Sequence, residues 1–319
     1  MKRRTIFGTS IIAAGTLAGI PSLAIGKQEG TPVLGRTDPS KYVVYEHVHD
    51  GPGSISFMRL LGTETFESNI FNIHRGIIPP KCGIGEHLHR NSEDMYFVFN
   101  APAVFTVNGR TALLPAGSCV LCPLGSSHGI YNNSDETIEW MNISVSVEKG
   151  KGKTIDYGED LANQKLVSPA PFKWARFDRR LMKPINNAHL GKGAILNNKL
   201  WLNNNFKTDW FRIGHCILPP DTSIGYHQHN ATEEVYYILS GRGRMTVNDH
   251  TWDIREGDAI PCTLNDSHGL YNNTSEDLEI MVLIVIVDNS MLAGNYNADM
   301  SDEYKALNVK NWGDDLSGR

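Results

Sequence analysis

The sequence repeats itself at a constant offset of 140 residues, and this repeat limits the fold more than any other feature. The offset carries His87-Leu88-His89 onto His227-Gln228-His229, and it carries His128 onto His268. A constant offset of this length indicates an internal duplication in which each copy folds as a unit. The repeated residues include metal-ligand types, so the duplication bears on chemistry as well as on fold.

Both copies show the pattern of antiparallel strands. Short apolar runs, rich in β-branched and aromatic residues, end at turn signals such as Asn108-Gly109 and Asn248-Asp249. Neither copy contains a convincing amphipathic helix, and a chain of 319 residues is long enough for two cores. We therefore predict an all-β protein with domains over 43–150 and 183–290, an inter-domain connection over 151–182 and a C-terminal tail over 291–319.

The N-terminus has the composition of a targeting segment. Lys2-Arg3-Arg4 precede a mildly apolar run and a small-residue sequence that ends at Gly26. This pattern predicts a secretory signal over 1–26, with the twin-arginine route as one option and an uncleaved anchor as the alternative. We expect an exported protein, periplasmic or secreted, with no membrane span in the mature chain.

The charge balance limits the classes of partner that the chain can bind. Cleavage after Gly26 would leave 27 basic and 35 acidic residues, a net charge of −8 with no Lys/Arg cluster. Such a chain is a poor binder of nucleic acid and of anionic membranes. A small-molecule partner is expected instead.

Histidines and carboxylates recur at spacings that suit a metal site. Two histidines separated by one residue on a strand point to the same face. Each copy has such a histidine pair, and two adjacent carboxylates follow it, Glu93-Asp94 in the first copy and Glu233-Glu234 in the second. A third histidine, His128 or His268, lies about 40 residues further on. Three imidazoles and one carboxylate suit a divalent first-row ion, and octahedral geometry leaves two positions open for water or a chelating substrate.

Two longer motifs resemble those of the cupin superfamily, specifically of a bicupin with two tandem domains. The motif G-x5-P-x-G-x2-H-x3-N is matched by Gly117, Pro123, Gly125, His128 and Asn132, and the later copy keeps Gly257, His268 and Asn272. In the motif G-x5-H-x-H-x4-E-x6-G, the later copy has His227, His229, Glu234 and Gly241, and the earlier copy has His87, His89, Asp94 and Ala101. Neither copy has the leading glycine, where Lys81 and Asp221 stand. The resemblance covers both repeats and implies two jelly-roll-like β-barrels.

The resemblance also implies a ligand set for each barrel. The ligands would be His87, His89, Asp94 and His128 in the first copy, and His227, His229, Glu234 and His268 in the second. Asp94 is one methylene shorter than the family's glutamate, and Glu93 should face the other way on a strand. We therefore expect the first site to bind metal more weakly or differently. Mn, Fe, Zn, Ni and Cu all suit such ligands, and one copy, both or neither could be loaded.

Other repeated residues are weaker candidates. Tyr131 and Tyr271 follow the third histidine of each copy by three residues, where a tyrosine could donate a proton or orient a substrate, or could simply pack in the core. His49 and His189 open a repeated His-x-Gly-x-Gly sequence, which indicates turn or edge positions.

The sequence leaves the reaction open among three hypotheses. The first is a metal-dependent enzyme, either a lyase of the dehydratase type or an isomerase, that acts on sugar or uronate-type oligosaccharide fragments from polysaccharide breakdown. Export would place such an enzyme where these fragments occur. The second is an iron- or copper-dependent dioxygenase acting on a small chelating substrate. The third is a non-catalytic exported binding or storage cupin. A monomer and a homo-oligomer are both compatible with the duplication.

Overall fold

The alternating apolar runs form strands, and no α-helix occurs among the described residues, so the all-β prediction is confirmed. The structure is a computed structural model that describes residues 34–158, 161–248, 250–292 and 297–300. The predicted signal segment 1–26 lies outside the described residues and stays a prediction. So does the end of the predicted tail, from residue 301 onward. None of the helices in the described ranges is long and apolar enough to cross a membrane.

The strands are short and follow one another closely. They are β1 Gly35–Arg36, β2 Val43–Glu46, β3 Ser54–Gly62, β4 Ile70–Ile78, β5 Gly83–His89, β6 Ser92–Val98, β7 Ala103–Val107, β8 Arg110–Leu114, β9 Ser118–Cys122, β10 Ser127–Tyr131, β11 Ile138–Ser146, β12 Thr154–Asp156, β13 Trp174–Arg176, β14 Lys183–Asn186, β15 Ala194–Leu202, β16 Trp210–Leu218, β17 Ser223–His229, β18 Thr232–Ser240, β19 Arg242–Val247, β20 His250–Arg255, β21 Asp258–Cys262, β22 Ser267–Tyr271, β23 Leu278–Ile286 and β24 Asn297–Asp299. The 3-10 helices are Pro39–Lys41, Val48–Asp50, Thr63–Thr65, Leu161–Asn163, Arg179–Leu181, Ala188–Leu190 and Asn203–Asn205.

These strands build two β-barrels, each from a seven-stranded and a five-stranded sheet. The first barrel joins the sheet β13-β9-β6-β11-β4-β3-β2 to the sheet β12-β5-β10-β7-β8. The second barrel joins β1-β21-β18-β23-β16-β15-β14 to β20-β19-β22-β17-β24. Neighbouring strands run antiparallel, and the two barrels have the same strand order at equivalent positions.

Segments outside the two predicted domains also supply strands. β12 and β13, in the predicted connection, pair with β5 and β9 of the first barrel. β1 precedes the first domain yet pairs with β21 of the second barrel, and β24 of the predicted tail pairs with β17. Strands of two or three residues carry no readable alternation, so the sequence could not show that these segments complete the sheets.

Side-chain alternation divides each large sheet into a barrel face and a face that meets the other barrel. On β11, Trp140 packs inside the first barrel and its neighbour Met141 packs in a core shared by both barrels. On β23, Ile280 packs inside the second barrel and Met281 joins the same shared core. Both faces of these central strands are buried, which explains their nearly continuous apolar sequences.

Two buried carboxylates join the barrels reciprocally. Glu93 is fully buried, lies next to Asp94 on β6, and accepts hydrogen bonds of 2.8 Å from the backbone amides of residues 207 and 208 in the other half. Glu233, also fully buried, accepts bonds of 2.9 Å from the amides of residues 67 and 68. The prediction that Glu93 and Asp94 face opposite sides of the strand is therefore confirmed, and the outward member holds the two domains together.

Candidate metal centres

The second barrel brings four predicted ligands together in its interior. His227 and His229 lie on β17, Glu234 on β18 and His268 on β22, and one ligand atom from each lies within 4.8 Å of the others. All four residues are buried. The Glu234 carboxylate lies between two of the imidazoles, with Oε1 3.2 Å from His229 Nε2 and Oε2 3.3 Å from His268 Nε2.

Strand pairing and backbone contacts orient these ligands. β17 and β22 pair with His227 directly opposite His268, although the two residues are 41 positions apart in the chain. His227 Nδ1 donates to the carbonyl of Gly225 at 2.8 Å, and His268 Nδ1 donates to the carbonyl of Asp266 at 3.0 Å. Each bond fixes the tautomer and leaves the lone pair on Nε2, the atom that faces the cluster.

The electrostatics of this cluster suit a cation. Burial lowers the pKa of His227 well below its usual value, so this imidazole is neutral near pH 7. Burial alone would raise the pKa of Glu234, but the adjacent His229 and His268 outweigh it and hold that pKa well below its ordinary value. A neutral imidazole and an ionised carboxylate are the protonation states that bind a metal.

The first barrel gathers its three histidines but holds the carboxylate apart. His87, His89 and His128 offer nitrogens within 4.8 Å of one another, whereas Asp94 is not part of this mutually close group. Asp94 Oδ2 lies 3.4 Å from His89 Nε2 and 3.7 Å from His128 Nε2. The two centres therefore differ in the described structure, in the direction that the shorter side chain predicts.

Two neighbours of Asp94 explain its position. Asn142 Nδ2 donates to Asp94 Oδ2 at 3.0 Å, and Ser144 Oγ donates to Oδ1 at 2.5 Å. The equivalent residues of the second barrel are Val282 and Ile284, which offer no donor to Glu234. Substitutions on β11, far along the chain from the histidine motif, thus set the geometry of the first centre.

The residues of both centres fit a divalent cation. Neither ring nitrogen of the buried His128 makes a hydrogen bond to another described residue, although buried polar atoms nearly always have a partner. Neutral imidazoles with buried, converging Nε2 atoms suit first-row ions from manganese to zinc. The donor set does not distinguish among those metals.

A further histidine stacks on the first ligand of each centre. The His49 ring lies 3.8 Å from that of His87, with the planes 14° apart, and His189 lies 3.7 Å from His227, with the planes 4° apart. Both belong to 3-10 turns, as their sequence predicts, but their stacking on the ligands was not predicted. The repeat at positions 49 and 189 was the available signal.

Each stacked histidine is held by an aspartate from a peripheral strand. His49 Nδ1 lies 2.7 Å from Asp156 Oδ1 on β12, and His189 Nδ1 lies 2.7 Å from Asp299 Oδ1 on β24. Burial lowers the pKa of both histidines despite these carboxylates. The aspartates lie 143 residues apart, so they do not follow the 140-residue offset and could not be found from the repeat.

The glycines of the repeated turn allow this approach. A Cβ on Gly51 would lie 2.4 Å from the amide nitrogen of Gly85, and one on Gly191 would lie 2.6 Å from that of Gly225. Such distances are not compatible with a side chain, so only glycine lets the turn contact β5 or β17. The contact brings His49 and His189 over the metal-ligand strands.

The tyrosines proposed as catalytic lie away from the centres. Tyr131 packs with Val104 and Leu161 outside the main core of its barrel, and the Tyr271 hydroxyl donates to Asp221 Oδ1 at 2.8 Å. Three positions along a strand reverse the side of the sheet, so these residues face away from the third histidine. This placement does not support a catalytic role for either tyrosine.

Two other tyrosines face the clusters and were missed. The rings of Tyr96 and Tyr236 lie 5.5 and 5.7 Å from those of His128 and His268. Burial raises the pKa of both hydroxyls well above the ordinary value. Each follows the carboxylate of its centre by two residues, and this spacing on a strand could have identified them.

Comparison with known proteins supports this architecture. The family model for the cupin domain matches residues 74–144 and 214–286, once in each half. An oxalate-binding protein of Thermotoga maritima is 31% identical over 103 residues, which cover 32% of this chain and 77% of that protein. An uncharacterized protein of Methanocaldococcus jannaschii is 32% identical over 69 residues, covering 22% of this chain and 55% of that protein.

Solved structures share the fold of the whole two-barrel unit. Oxalate decarboxylase from Bacillus subtilis at pH 4.6 superimposes with a TM-score of 0.54 at 17% identity, covering 82% of this chain and 78% of that one. A second structure of that enzyme, described for its Mn(II) centres, gives a TM-score of 0.55 at 17% identity, covering 85% of this chain and 80% of that one. A salicylate 1,2-dioxygenase from Pseudoaminobacter salicylatoxidans, in complex with gentisate, gives 0.59 at 16% identity and 76% of each chain. The chain therefore belongs to the cupin family, as a bicupin whose two barrels each assemble the ligand types of a divalent metal centre.

Proposed function

We propose that this protein is a metal-dependent lyase that removes a carboxyl group from a small chelating carboxylate, and that the second barrel is its catalytic centre. The observation that carries the proposal is the buried group of His227, His229, Glu234 and His268, whose ligand atoms lie within 4.8 Å of one another. Three nitrogens and one carboxylate leave open positions on a six-coordinate ion for two substrate oxygens.

The relatives support a small carboxylate as the substrate class. One is named for binding oxalate, and a structural neighbour is named for decarboxylating it. Tyr236, Val282 and Ile284 form an apolar wall of the barrel interior near the second centre. The carbohydrate-derived substrate and the dehydratase or isomerase reactions expected from the sequence stay predictions, and nothing in the site favours them over a carboxylate.

The chemistry assigns distinct tasks to the chain. A bound divalent ion would withdraw electron density from the substrate oxygens that contact it. Glu234 and the three imidazoles hold that ion, and the apolar wall excludes water from the reacting carbons. In the reaction, the bond between a carboxylate carbon and its neighbour breaks, CO2 leaves, and the neighbouring carbon takes up one proton with the electron pair of the broken bond.

The test is a turnover assay on the protein loaded separately with Mn(II), Fe(II), Zn(II), Ni(II) or Cu(II). Oxalate, malonate, 2-oxo acids and unsaturated uronyl oligosaccharides serve as substrates. Release of CO2 with uptake of one proton per turnover and no oxygen consumption supports the proposal. Loss of water from the uronyl fragments, or no turnover with any metal, overturns it.

A dioxygenase is the second candidate, and the first centre favours it. Three imidazoles with a withdrawn carboxylate form a nitrogen face with open positions, which suits a redox-active ion that binds dioxygen and substrate together. The structural neighbour named as a salicylate 1,2-dioxygenase is consistent with this alternative. Oxygen consumption that matches substrate loss would replace the lyase proposal with this one.

A further inference from the structure

We propose that Arg212 is a substrate-positioning residue of the second barrel, which binds a second carboxylate group and makes this barrel selective for small dianions. This inference rests on the proposed function, because it assumes that a carboxylate substrate reaches the second centre. Arg212 belongs to no motif and has no counterpart in the first copy, where Asn72 stands.

Strand register places Arg212 beside the metal centre. Arg212 lies opposite Ile284 on β23, and Ile284 lies opposite Glu234 on β18. The three residues therefore form one row across the sheet, and the outer two are about 10 Å apart at two strand spacings. Ile284 packs in the core of the second barrel, and directly paired residues share a sheet face, so Arg212 and Glu234 point into the same interior.

The guanidinium has no partner in the described part of the chain. Its Nε is buried and makes no hydrogen bond there, and none of the ion pairs of the described residues includes Arg212. A guanidinium always carries its charge, and leaving the buried Nε donor unpaired is costly. This is the condition expected of a group that binds an anion from outside the chain.

A second donor lies beside Arg212. A Cβ on Gly214 would lie 3.8 Å from Arg212 Nε and 3.6 Å from Asn197 Nδ2, so both groups border a position without a side chain. Asn197 Nδ2 also contacts Cys216 Sγ at 2.7 Å, which holds the amide in place. A guanidinium and an amide on either side of a glycine can both donate to one carboxylate.

The first barrel lacks this arrangement. Asn72 and His74 occupy the positions that correspond to Arg212 and Gly214, and Asn72 Oδ1 is buried without a hydrogen bond in the described structure. Arg59, on β3 of that barrel, is paired with Glu64 at 3.1 Å. At equivalent positions, the first barrel thus presents an acceptor and the second presents a cationic donor.

A charge count indicates the charge of the ligand. With a divalent ion, ionised Glu234, charged Arg212 and neutral imidazoles, these groups of the second barrel hold two net positive charges; Lys199, which is exposed to solvent, is not counted. A net charge in a weakly polar interior is unfavourable unless it is balanced, and a dianion balances these two. Geometry and charge both point to a dicarboxylate in the second barrel.

The test compares Arg212→Asn with Arg242→Asn. Asparagine is the residue at position 72 of the first barrel, which corresponds to Arg212, so the strand tolerates it. Arg242 is an exposed residue of β19 whose replacement removes the same charge away from the metal centre. Calorimetry measures binding of oxalate, malonate and acetate to the Mn(II)-loaded protein, and electron paramagnetic resonance of free Mn(II) measures metal binding without substrate.

We expect Arg212→Asn to weaken oxalate or malonate binding about 10- to 100-fold, the loss of one buried charged hydrogen-bonding group. Acetate binding should change far less, and Mn(II) binding should stay equal or become tighter because a repelling charge is removed. Arg242→Asn should change each of these constants by less than about twofold.

Parallel weakening of metal and dianion binding would identify a structural role for Arg212 and overturn the inference. Equal effects of the two substitutions, or an Arg212→Asn protein that binds dicarboxylates normally, would also overturn it. If dianion binding depends on Arg212 as expected but no metal supports turnover, this inference holds and the lyase proposal fails. The two proposals can therefore fail separately.

Discussion

Replacing Glu93 by glutamine should destabilise the whole two-barrel unit, because this carboxylate crosses the interface. Its Oε2 accepts three hydrogen bonds of 2.8 Å, from the amides of Lys207 and Thr208 and from the Thr208 hydroxyl. Its Oε1 accepts a bond of 3.2 Å from the amide of Leu124 in its own barrel. Glutamine has the same shape but no charge. Its amide nitrogen is a donor, so at one of the two oxygen positions it would face a backbone N–H, which is also a donor.

The magnitude follows from these contacts. A hydrogen bond to a charged group contributes about 1.5–3 kcal/mol and one to a neutral group about 0.5–1.5, so the three bonds to Oε2 together lose about 3 kcal/mol. The Leu124 amide, left facing the glutamine nitrogen, adds about 1 kcal/mol or more. Relief of the buried charge offsets part of this sum, so we expect a loss of about 3 kcal/mol in the free energy of unfolding.

Urea denaturation, followed by the fluorescence of the interface residues Trp201 and Trp210, measures this loss. The matched control is Glu148→Gln, since Glu148 forms an exposed pair with Lys151 and should change the free energy by less than about 1 kcal/mol. The reciprocal Glu233→Gln should act in the same direction. A Glu93→Gln midpoint no lower than that of the control would refute the role of this carboxylate at the interface.

Three further outcomes test the site and its supports. His229→Ala should abolish turnover and remove one bound metal ion, whereas His89→Ala should lose only the metal of the first barrel. Metal analysis and activity assays of both variants measure this, and the reverse pattern would contradict the choice of the second centre. Burial lowers the pKa of His74 to about 4, so as the pH falls from about 6.5 towards 4 the unfolded chain protonates this histidine while the folded chain does not. The free energy of unfolding should therefore decrease over this range, and chemical denaturation of His74→Gln should show a smaller decrease. Gly191→Ala would place a Cβ 2.3 Å from a backbone oxygen and should cost about 2 kcal/mol or more, whereas Gly214→Ala meets no atom closer than 3.6 Å and should lie within about 0.5 kcal/mol of wild type.

The histidine motif could be interpreted from the sequence because it depends on neighbours along the chain. His227 and His229 share a face by strand alternation alone, and Glu234 follows after a short turn. His268 required the resemblance to a family, since only strand pairing places it opposite His227. The predicted faces of Glu93 and Asp94 were likewise correct, because two adjacent residues on a strand must point to opposite sides.

The misplaced tyrosines show where this reasoning reached its limit. Tyr131 and Tyr271 lie near a ligand along the chain, but an odd spacing on a strand turns them away from it. Tyr96 and Tyr236 lie two residues from the carboxylates and face inward. A search for residues two positions from a ligand on each ligand-bearing strand would have favoured Tyr96 and Tyr236.

The duplication, the all-β fold and the ligand types could be inferred from the amino-acid sequence, since repeats, alternation and residue chemistry follow from the order of the chain. Three further relations became visible in the folded barrels: Asn142 and Ser144 draw Asp94 away, Asp156 and Asp299 hold the stacked histidines, and Arg212 lies in one row with Glu234. The reason is physical. Each of these relations joins residues on different strands, and their contact depends on a pairing register and on a barrel curvature that no single segment encodes.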